Sequence, residues 1–156
     1  MEMRRSRSIL DSIRRIVRAL RVASRKAEAR SGLSGAQLFV LQALKDRSAL
    51  TITQLAQRTY THQSSVSTVV TRLLKKKLLS RAKSKTDARR REVVITPKGV
   101  ALLKRPVEVG QSRLLAGIAK LGSRDRRLLA VLLAELVAKS GFSDIPASMI
   151  FEEDKK

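Results

Sequence analysis

The sequence predicts a mainly α-helical protein with one small antiparallel β wing, and three observations carry the prediction. Aliphatic residues recur at spacings of three and four within residues 6–29, 62–76 and 123–137, the period of helices that bury one face. One β-branched run, Glu92 to Thr96, reads as a strand beyond a polar, basic stretch, the pattern of a hairpin. Aromatic residues make up only 3% of the chain and Trp is absent, so the core must be built from Leu, Val, Ile and Ala.

At 156 residues the chain is expected to form one domain, residues 1–156, large enough to bury a core without covalent staples. No apolar run reaches the roughly 18 residues that span a bilayer. The N-terminus carries charges through its apolar positions, unlike a secretory signal. Without Cys, disulfides and thiol-based sensing are excluded, and a cytoplasmic location is expected.

The formal net charge is +21, concentrated in two regions. Residues 4–30 hold ten Lys/Arg against two acids, and residues 61–98 hold eleven against two. From 104 onward ten bases face seven acids. Polyanions are therefore the expected partners of the first two regions, nucleic acid ahead of an anionic membrane.

The first helix, residues 6–30, carries Ile9, Ile13, Ile16, Val17 and Leu20 as one stripe, with Arg14, Arg15, Arg18, Arg21 and Arg25 over much of the remaining surface. It cannot bury that stripe alone. It must pack on its own domain, a second copy or a membrane. The SGLSG run at 31–35 ends it. Ser34 and Gln37 have capping-box spacing and open a helix through Leu38, Leu41 and Leu44. Thr51 and Gln54 repeat the signal and start a short helix with Ile52, Leu55 and Ala56 inward. Thr61 is the expected cap of the next helix, His62 to about Lys76, whose buried face is Val66, Val69, Val70, Leu73 and Leu74.

The other side of that helix shows Gln63, Ser64, Ser67, Thr68, Thr71, Arg72 and Lys75. Short hydroxyls permit close approach to a groove, and an arginine reaches a guanine edge or a phosphate. Leu78 to Lys83 alternates weakly and pairs with the 92–96 strand, leaving SKTDARRR as an exposed basic tip. Thr96-Pro97 opens another helix, expected to run to about Leu121 with a kink at Pro106 and Gly110. Ser123 is expected to cap the last helix, whose Leu128, Leu129, Leu132, Leu133, Leu136 and Val137 form a face too wide for a solvated helix. Gly141 ends it, and FEEDKK is a loose or edge-packed tail.

Two closely spaced helices, a basic hairpin and a new helix start form the plan of a winged helix-turn-helix. The alternative for residues 61–98 is an ordinary solvated basic surface. The tandem caps, the strand and the Asp-x-Arg tip argue against it. His62 is the single histidine, a polar or phosphate-contacting residue rather than a metal ligand or catalyst. Sparse acids and the absence of a Gly-rich phosphate loop or a Ser/His/Asp set leave no candidate catalytic, metal or cofactor site.

The stretch SSVSTVVTRLLKKKLLSR from Ser64 and DARRREVVITPKG from Asp87 resemble the recognition helix, strand and Asp-x-Arg wing of the MarR family of bacterial transcriptional regulators. The resemblance covers nearly the whole chain, to about Gly141. It implies dimerisation through the first and last helices, 6–30 and 123–141. It also implies a winged helix-turn-helix over 34–99, a linking helix over 97–121 and a tail over 142–156. By resemblance Arg89 is the wing arginine that enters the minor groove, where a narrow groove concentrates negative potential, and Asp87 orients it. Gln63, Ser64, Ser65, Ser67, Thr68, Thr71 and Arg72 fall on the recognition face. Lys75, Lys83, Lys85, Arg90 and Arg91 add phosphate contacts. Two positions depart from the family: Lys77 stands where Gly is usual, and Thr68 where many members have Arg.

The expected function is that of a sequence-specific transcriptional regulator, a homodimeric repressor on a pseudo-palindromic operator of double-stranded DNA. The resemblance further implies a pocket for a small-molecule effector, often a phenolic or other aromatic acid. Its expected walls are Leu20–Ala27, Leu38–Leu41 and the helix after Pro97, with Phe39 and Tyr60 as the only nearby aromatics. The rival from another class is a sequence-indifferent DNA-coating or architectural protein. A membrane-surface reading of residues 4–30 is weakened by the lack of aromatic anchors on the aliphatic stripe.

Overall fold

A computed structural model describes residues 1–46, 49–83, 91–104 and 108–150. Among them the chain forms, in order, α1 (Glu2–Ser31), α2 (Gly35–Leu44), β1 (Leu50–Thr51), α3 (Ile52–Arg58) and α4 (Gln63–Lys75). There follow β2 (Leu79–Lys83), β3 (Arg91–Ile95), α5 (Pro97–Leu103), α6 (Gly110–Ala119) and α7 (Ser123–Lys139). The three strands form one antiparallel sheet in the order β1-β3-β2. Leu79 lies opposite Ile95 and Arg81 opposite Val93, and Leu50 of β1 also pairs with Val93. The two-residue β1 had no sequence signal of its own: it is held by β3, not by its own pattern.

The core lies under the helix-turn-helix. α2 runs through its centre, with every residue from Ala36 to Leu41 buried. A helix apolar on all sides is a core helix rather than an amphipathic one, so the face expected from Leu38, Leu41 and Leu44 is only part of what it buries. Leu55 and Ala56 of α3 and Val66, Val69, Val70 and Leu73 of α4 pack on it, with Leu78, Leu79 and Val93 closing the sheet side. Inward Ile52 and Leu74 are half-buried against the same cluster.

Several helix ends differ from expectation for identifiable reasons. At Thr51 both halves of the capping box form. The Gln54 N–H donates to Thr51 Oγ1 at 3.2 Å, and the Thr51 N–H donates to Gln54 Oε1 at 2.9 Å. At Ser34 only the first half forms, the Gln37 N–H donating to Ser34 Oγ at 3.2 Å. Gln37 itself is buried, and its Oε1 has no partner among the described residues. Thr61 is not the cap of α4. Its N–H donates to Ala56 O at 3.0 Å to close α3, and the helix starts one residue later, with extended His62 as N-cap. Ser123 is the first residue of α7 rather than its cap, a position taken by Gly122. The α7 end is as expected: Gly141 N–H donates to Ala138 O and Phe142 N–H to Val137 O, each at 3.1 Å, the paired bonds of a Schellman ending.

The helix expected from Pro97 to Leu121 is two helices, not one kinked helix. α5 ends at Leu103, and extended Val109 caps α6; Pro106 lies outside the described residues. The reason for the redirection is visible at Gly110. A Cβ there would stand 3.0 Å from Ala23 Cβ and 3.2 Å from Leu20 Cδ2, so the glycine lets α6 begin in close contact with α1.

The two ends of the chain leave their apolar faces open. In α7, Leu128 is 55% and Leu132 52% exposed, and no residue of the helix is buried. In α1 only Leu20 and Ala27 are buried, while Ile9, Ile16 and Val17 are exposed. No helix among the described residues is long and apolar enough to cross a membrane. Residues beyond α7 are not all loose, because Met149 is 3% exposed and belongs to the core. The FEEDKK stretch lies outside the described residues.

Candidate nucleic-acid interface

The α3–α4 turn is rigid for local reasons. Tyr60 adopts φ 52, and its N–H donates to Gln57 O while that of Thr61 reaches Ala56 O. Buried Thr59 donates its hydroxyl to Leu55 O at 2.7 Å. With α3 closed this tightly, α4 is presented at a set angle with its apolar side on α2.

Its outward side holds Gln63, Ser64, Ser67, Thr68, Thr71 and Lys75, all exposed, with Ser65 and Arg72 half-buried at the edges. Thr68 donates its hydroxyl to Ser64 O at 3.2 Å and Thr71 to Ser67 O at 2.9 Å. Both hydroxyl protons are thus engaged within the helix. What these threonines offer outward is a methyl group and acceptor lone pairs, suited to a thymine methyl and to the amino groups of adenine or cytosine. Arg72 and Lys75 occupy the last turn, where cations also favour the helix dipole.

The end of α4 is welded to the next elements. Lys77 takes φ 58, with its N–H donating to Leu74 O and the Leu78 N–H to Leu73 O. Lysine therefore occupies the left-handed position usually given to glycine. Thr96 donates its hydroxyl to Lys77 O at 2.9 Å and accepts from the Gly99 N–H at 3.2 Å. A Cβ on Gly99 would lie 2.5 Å from Leu78 O and 2.7 Å from Ile95 Cγ1. The Thr-Pro-x-Gly run is thus a joint that seats α5 on the α4–β2 turn and ties β3 to the end of α4. Lys76 Nζ donates to Gly32 O at 3.0 Å, tying the C-terminal ends of α4 and α1 together.

In the hairpin the register runs out to Lys83 opposite Arg91, both exposed. Like charges directly opposite are unfavourable in a strand pair, and an anion between them relieves the conflict. Arg81, two residues before Lys83, is also exposed. The sequence reading passed over it because β2 alternates so weakly. Lys85, Asp87, Arg89 and Arg90 lie outside the described residues.

Sequence reasoning also missed a neighbour of the reading face. Pro146, Ala147 and Ser148 wall a cavity of about 200 Å³ together with His62, Ser64, Ser65 and Thr68. Only the burial of Met149 brings them there, and a lone methionine near a C-terminus carries no sequence signal of that kind.

A larger cavity, about 750 Å³, opens between α1 and α6. Ile16, Leu20, Val22, Leu114 and Ile118 give it aliphatic walls, and Arg15, Arg18, Lys26 and Arg113 also line it, Arg113 being paired with Glu108 at 3.1 Å. The expected wall from α1 is present, but Leu38–Leu41 are in the core and take no part. Neither expected aromatic lines it. Phe39 is buried in α2, and Tyr60 is 80% exposed at the α3–α4 turn. Among the described residues no group of three or more His, Cys, Asp or Glu is placed to hold a metal ion.

A model of the MarR family matches residues 31–90. The chain is similar to the HTH-type transcriptional repressor MdtR of Bacillus subtilis (strain 168), 26% identical over 120 residues that cover 77% of each protein. Among solved structures it is similar to BpsR of Bordetella bronchiseptica, whose regulation of DNA binding by 6-hydroxynicotinic acid that structure addresses. The identity there is 28% and the TM-score 0.52, with 76% of this chain and 87% of that one covered. The DNA complex of MepR from S. aureus matches with a TM-score of 0.56 over 85% of this chain and 96% of that one. At 18% identity that likeness bears on the fold alone.

Proposed function

The chain belongs to the MarR family, matched over residues 31–90, and from that premise we propose a sequence-specific, DNA-binding transcriptional repressor that acts as a homodimer in the bacterial cytoplasm. The observation that carries the reading is the outward face of α4, short hydroxyls beside cations on a helix held rigidly against its core, with a basic hairpin following it. Gln63, Ser64, Ser65, Ser67, Thr68, Thr71 and Arg72 read base edges in the major groove. Lys75, Lys83 and Arg91 contact phosphates, joined by Lys85 and Arg90 at the wing tip. There Arg89, oriented by Asp87, probes the minor groove. The reading assigns no catalytic residue.

The open faces of α1 and α7 support the dimer, each needing an apolar partner that the described residues do not supply. α2 to β3 make up the winged helix, and α5 and α6 link it to the dimer helices. Two-fold symmetry then requires two half-sites about 10 base pairs apart, one helical turn. The α1–α6 cavity supports an effector with an apolar body and an acid group, since aliphatic walls meet Arg15, Arg18 and Lys26 in its lining. An aromatic acid of the kind named for BpsR fits that description. It acts by preferring a spacing of the recognition helices that misfits DNA.

Selection from random duplexes tests the function directly. A pseudo-palindrome bound on the order of a thousandfold more tightly than random DNA is expected. Thr71→Ala and Arg72→Ala should change which bases are preferred, and Arg89→Ala should weaken operator binding. The charge of +21 favours a second reading, a sequence-indifferent DNA-coating protein. A specificity ratio near one would establish that reading instead.

A further inference from the structure

α1 carries a second basic surface that the winged helix does not use. Arg4, Arg7, Arg14, Arg18, Arg21 and Arg25 follow one another at alternating steps of three and four, with Asp11 at the one remaining step. On a helix this spacing makes a single stripe. At 1.5 Å per residue it extends about 32 Å, close to one turn of B-DNA. All six arginines are exposed. Asp11 is held between two of them, 3.0 Å from Arg14 and 3.9 Å from Arg7.

The stripe lies opposite the apolar one. Ile9, Ile13, Ile16, Leu20 and Ala27 occupy the other side of α1, where Leu20 and Ala27 are already buried. A second copy that covers the rest leaves the arginines facing outward, with Arg18 also bordering the α1–α6 cavity. The stripe is also removed from the reading turns. α1 meets α4 at Lys76 and Gly32, the C-terminal end of a helix of 13 residues and about 20 Å long, whereas Gln63–Thr68 lie towards the other end. A bilayer would have to take up the apolar face of α1, but that face lacks aromatic anchors and at Leu20 and Ala27 it is already buried within the chain.

We propose that the arginine stripe of α1 is a second, sequence-indifferent binding face for the phosphate backbone of duplex DNA, outside the footprint of the winged helix. Six guanidinium groups and one carboxylate present a net charge of +5. Their contacts come from flanking DNA of the same duplex or from a second duplex. The choice of DNA as the polyanion rests on the reading of α4 and the wing; the existence of the face does not.

The test is the salt dependence of binding by the full chain and by a variant with all six arginines changed to glutamine, on an 18-base-pair operator duplex and on one of 60 base pairs. With counterion release of about 0.9 per phosphate contact, the variant's log–log slope on long DNA should be shallower by about 4–5 per chain. Its preference among sequences should be unchanged. A six-lysine variant should restore the slope, and R14Q/R18Q/R21Q should remove about half of it even if the sixfold glutamine variant folds poorly. Capture of one labelled duplex by another through the protein identifies a second duplex as the source. A slope loss confined to long DNA without capture identifies flanking DNA. Unchanged slopes for both glutamine variants on both duplexes overturn the proposal. So does wild-type binding to vesicles with 30% phosphatidylglycerol that depends on the stripe while DNA binding does not. Loss of sequence preference with Thr71→Ala beside unchanged stripe slopes would leave the winged-helix reading standing alone. A stripe-dependent slope in a protein with no preferred sequence would leave the stripe without it.

Discussion

Replacing Lys77 by glycine isolates the energy of one backbone angle at the end of α4. Lys77 sits at φ 58, where the Cβ of an L-residue crowds its own backbone and costs roughly 1–2 kcal/mol. Its side chain is exposed, so glycine removes that strain without opening a cavity. Against this, glycine gives the unfolded chain extra freedom worth about 0.4–1 kcal/mol. The net expectation is a stabilisation of about 0.5–1 kcal/mol, a shift of a few tenths molar in the urea midpoint at an unchanged m-value. In a chain of this size that is a rise in Tm of about 1–4 °C. Measurements must be made at one chain concentration, because the proposed dimer would couple stability to it. Lys77→Ala supplies the control: it removes the charge but keeps a Cβ, so it should fall within about 0.5 kcal/mol of the parent. Equal stabilisation by alanine and glycine would assign the effect to charge repulsion. No stabilisation by glycine would refute the strain argument.

Gly99→Ala should destabilise by about 1–3 kcal/mol in urea unfolding, because its Cβ would meet the Leu78 carbonyl at 2.5 Å, a backbone atom that cannot swing aside. Leu132→Glu on α7 should raise the dimer dissociation constant by on the order of 100-fold in sedimentation equilibrium, since burying an unpaired carboxylate is strongly unfavourable; an intact dimer would remove α7 from the interface. Met149→Ala should cost about 2–5 kcal/mol if the C-terminal segment is seated as its 3% exposure indicates, and a urea midpoint unchanged from the parent would unseat it. Under the proposed effector reading, an aromatic acid such as benzoate should raise the Tm of the parent more than that of Lys26→Ala, whose ammonium lines the α1–α6 cavity, and equal shifts would move the effector elsewhere.

Periodicity and capping chemistry are local, and what they dictate was legible. The inward faces of α3 and α4, the Thr51–Gln54 box, the Thr96 cap and the exposed hydroxyl face of α4 all follow from spacings within one or two turns. The errors lie where a distant partner decides. Ser34–Gln37 has the same spacing as Thr51–Gln54, yet burial of Gln37 withholds the second bond. Thr61 is as good a cap as any threonine, but it belongs to the turn that closes α3, and the cap falls on His62 one residue later. Nothing local distinguishes one kinked helix from two across residues 97–121, because the break serves the contact between Gly110 and α1. Phe39 read equally well as pocket lining and as core until α2 proved buried on every side.

The sequence by itself determined that this chain is helical, basic in two places, and equipped with a helix whose exposed side suits a DNA groove, because composition and period need no knowledge of neighbours. It also determined that both end helices need apolar cover. Only the tertiary structure decided where that need is unmet, which walls make the cavity, and that the C-terminal segment returns beside the first turns of α4. It likewise separated the arginine stripe of α1 from the reading face, since a distance between two surfaces exists only once the helices are packed.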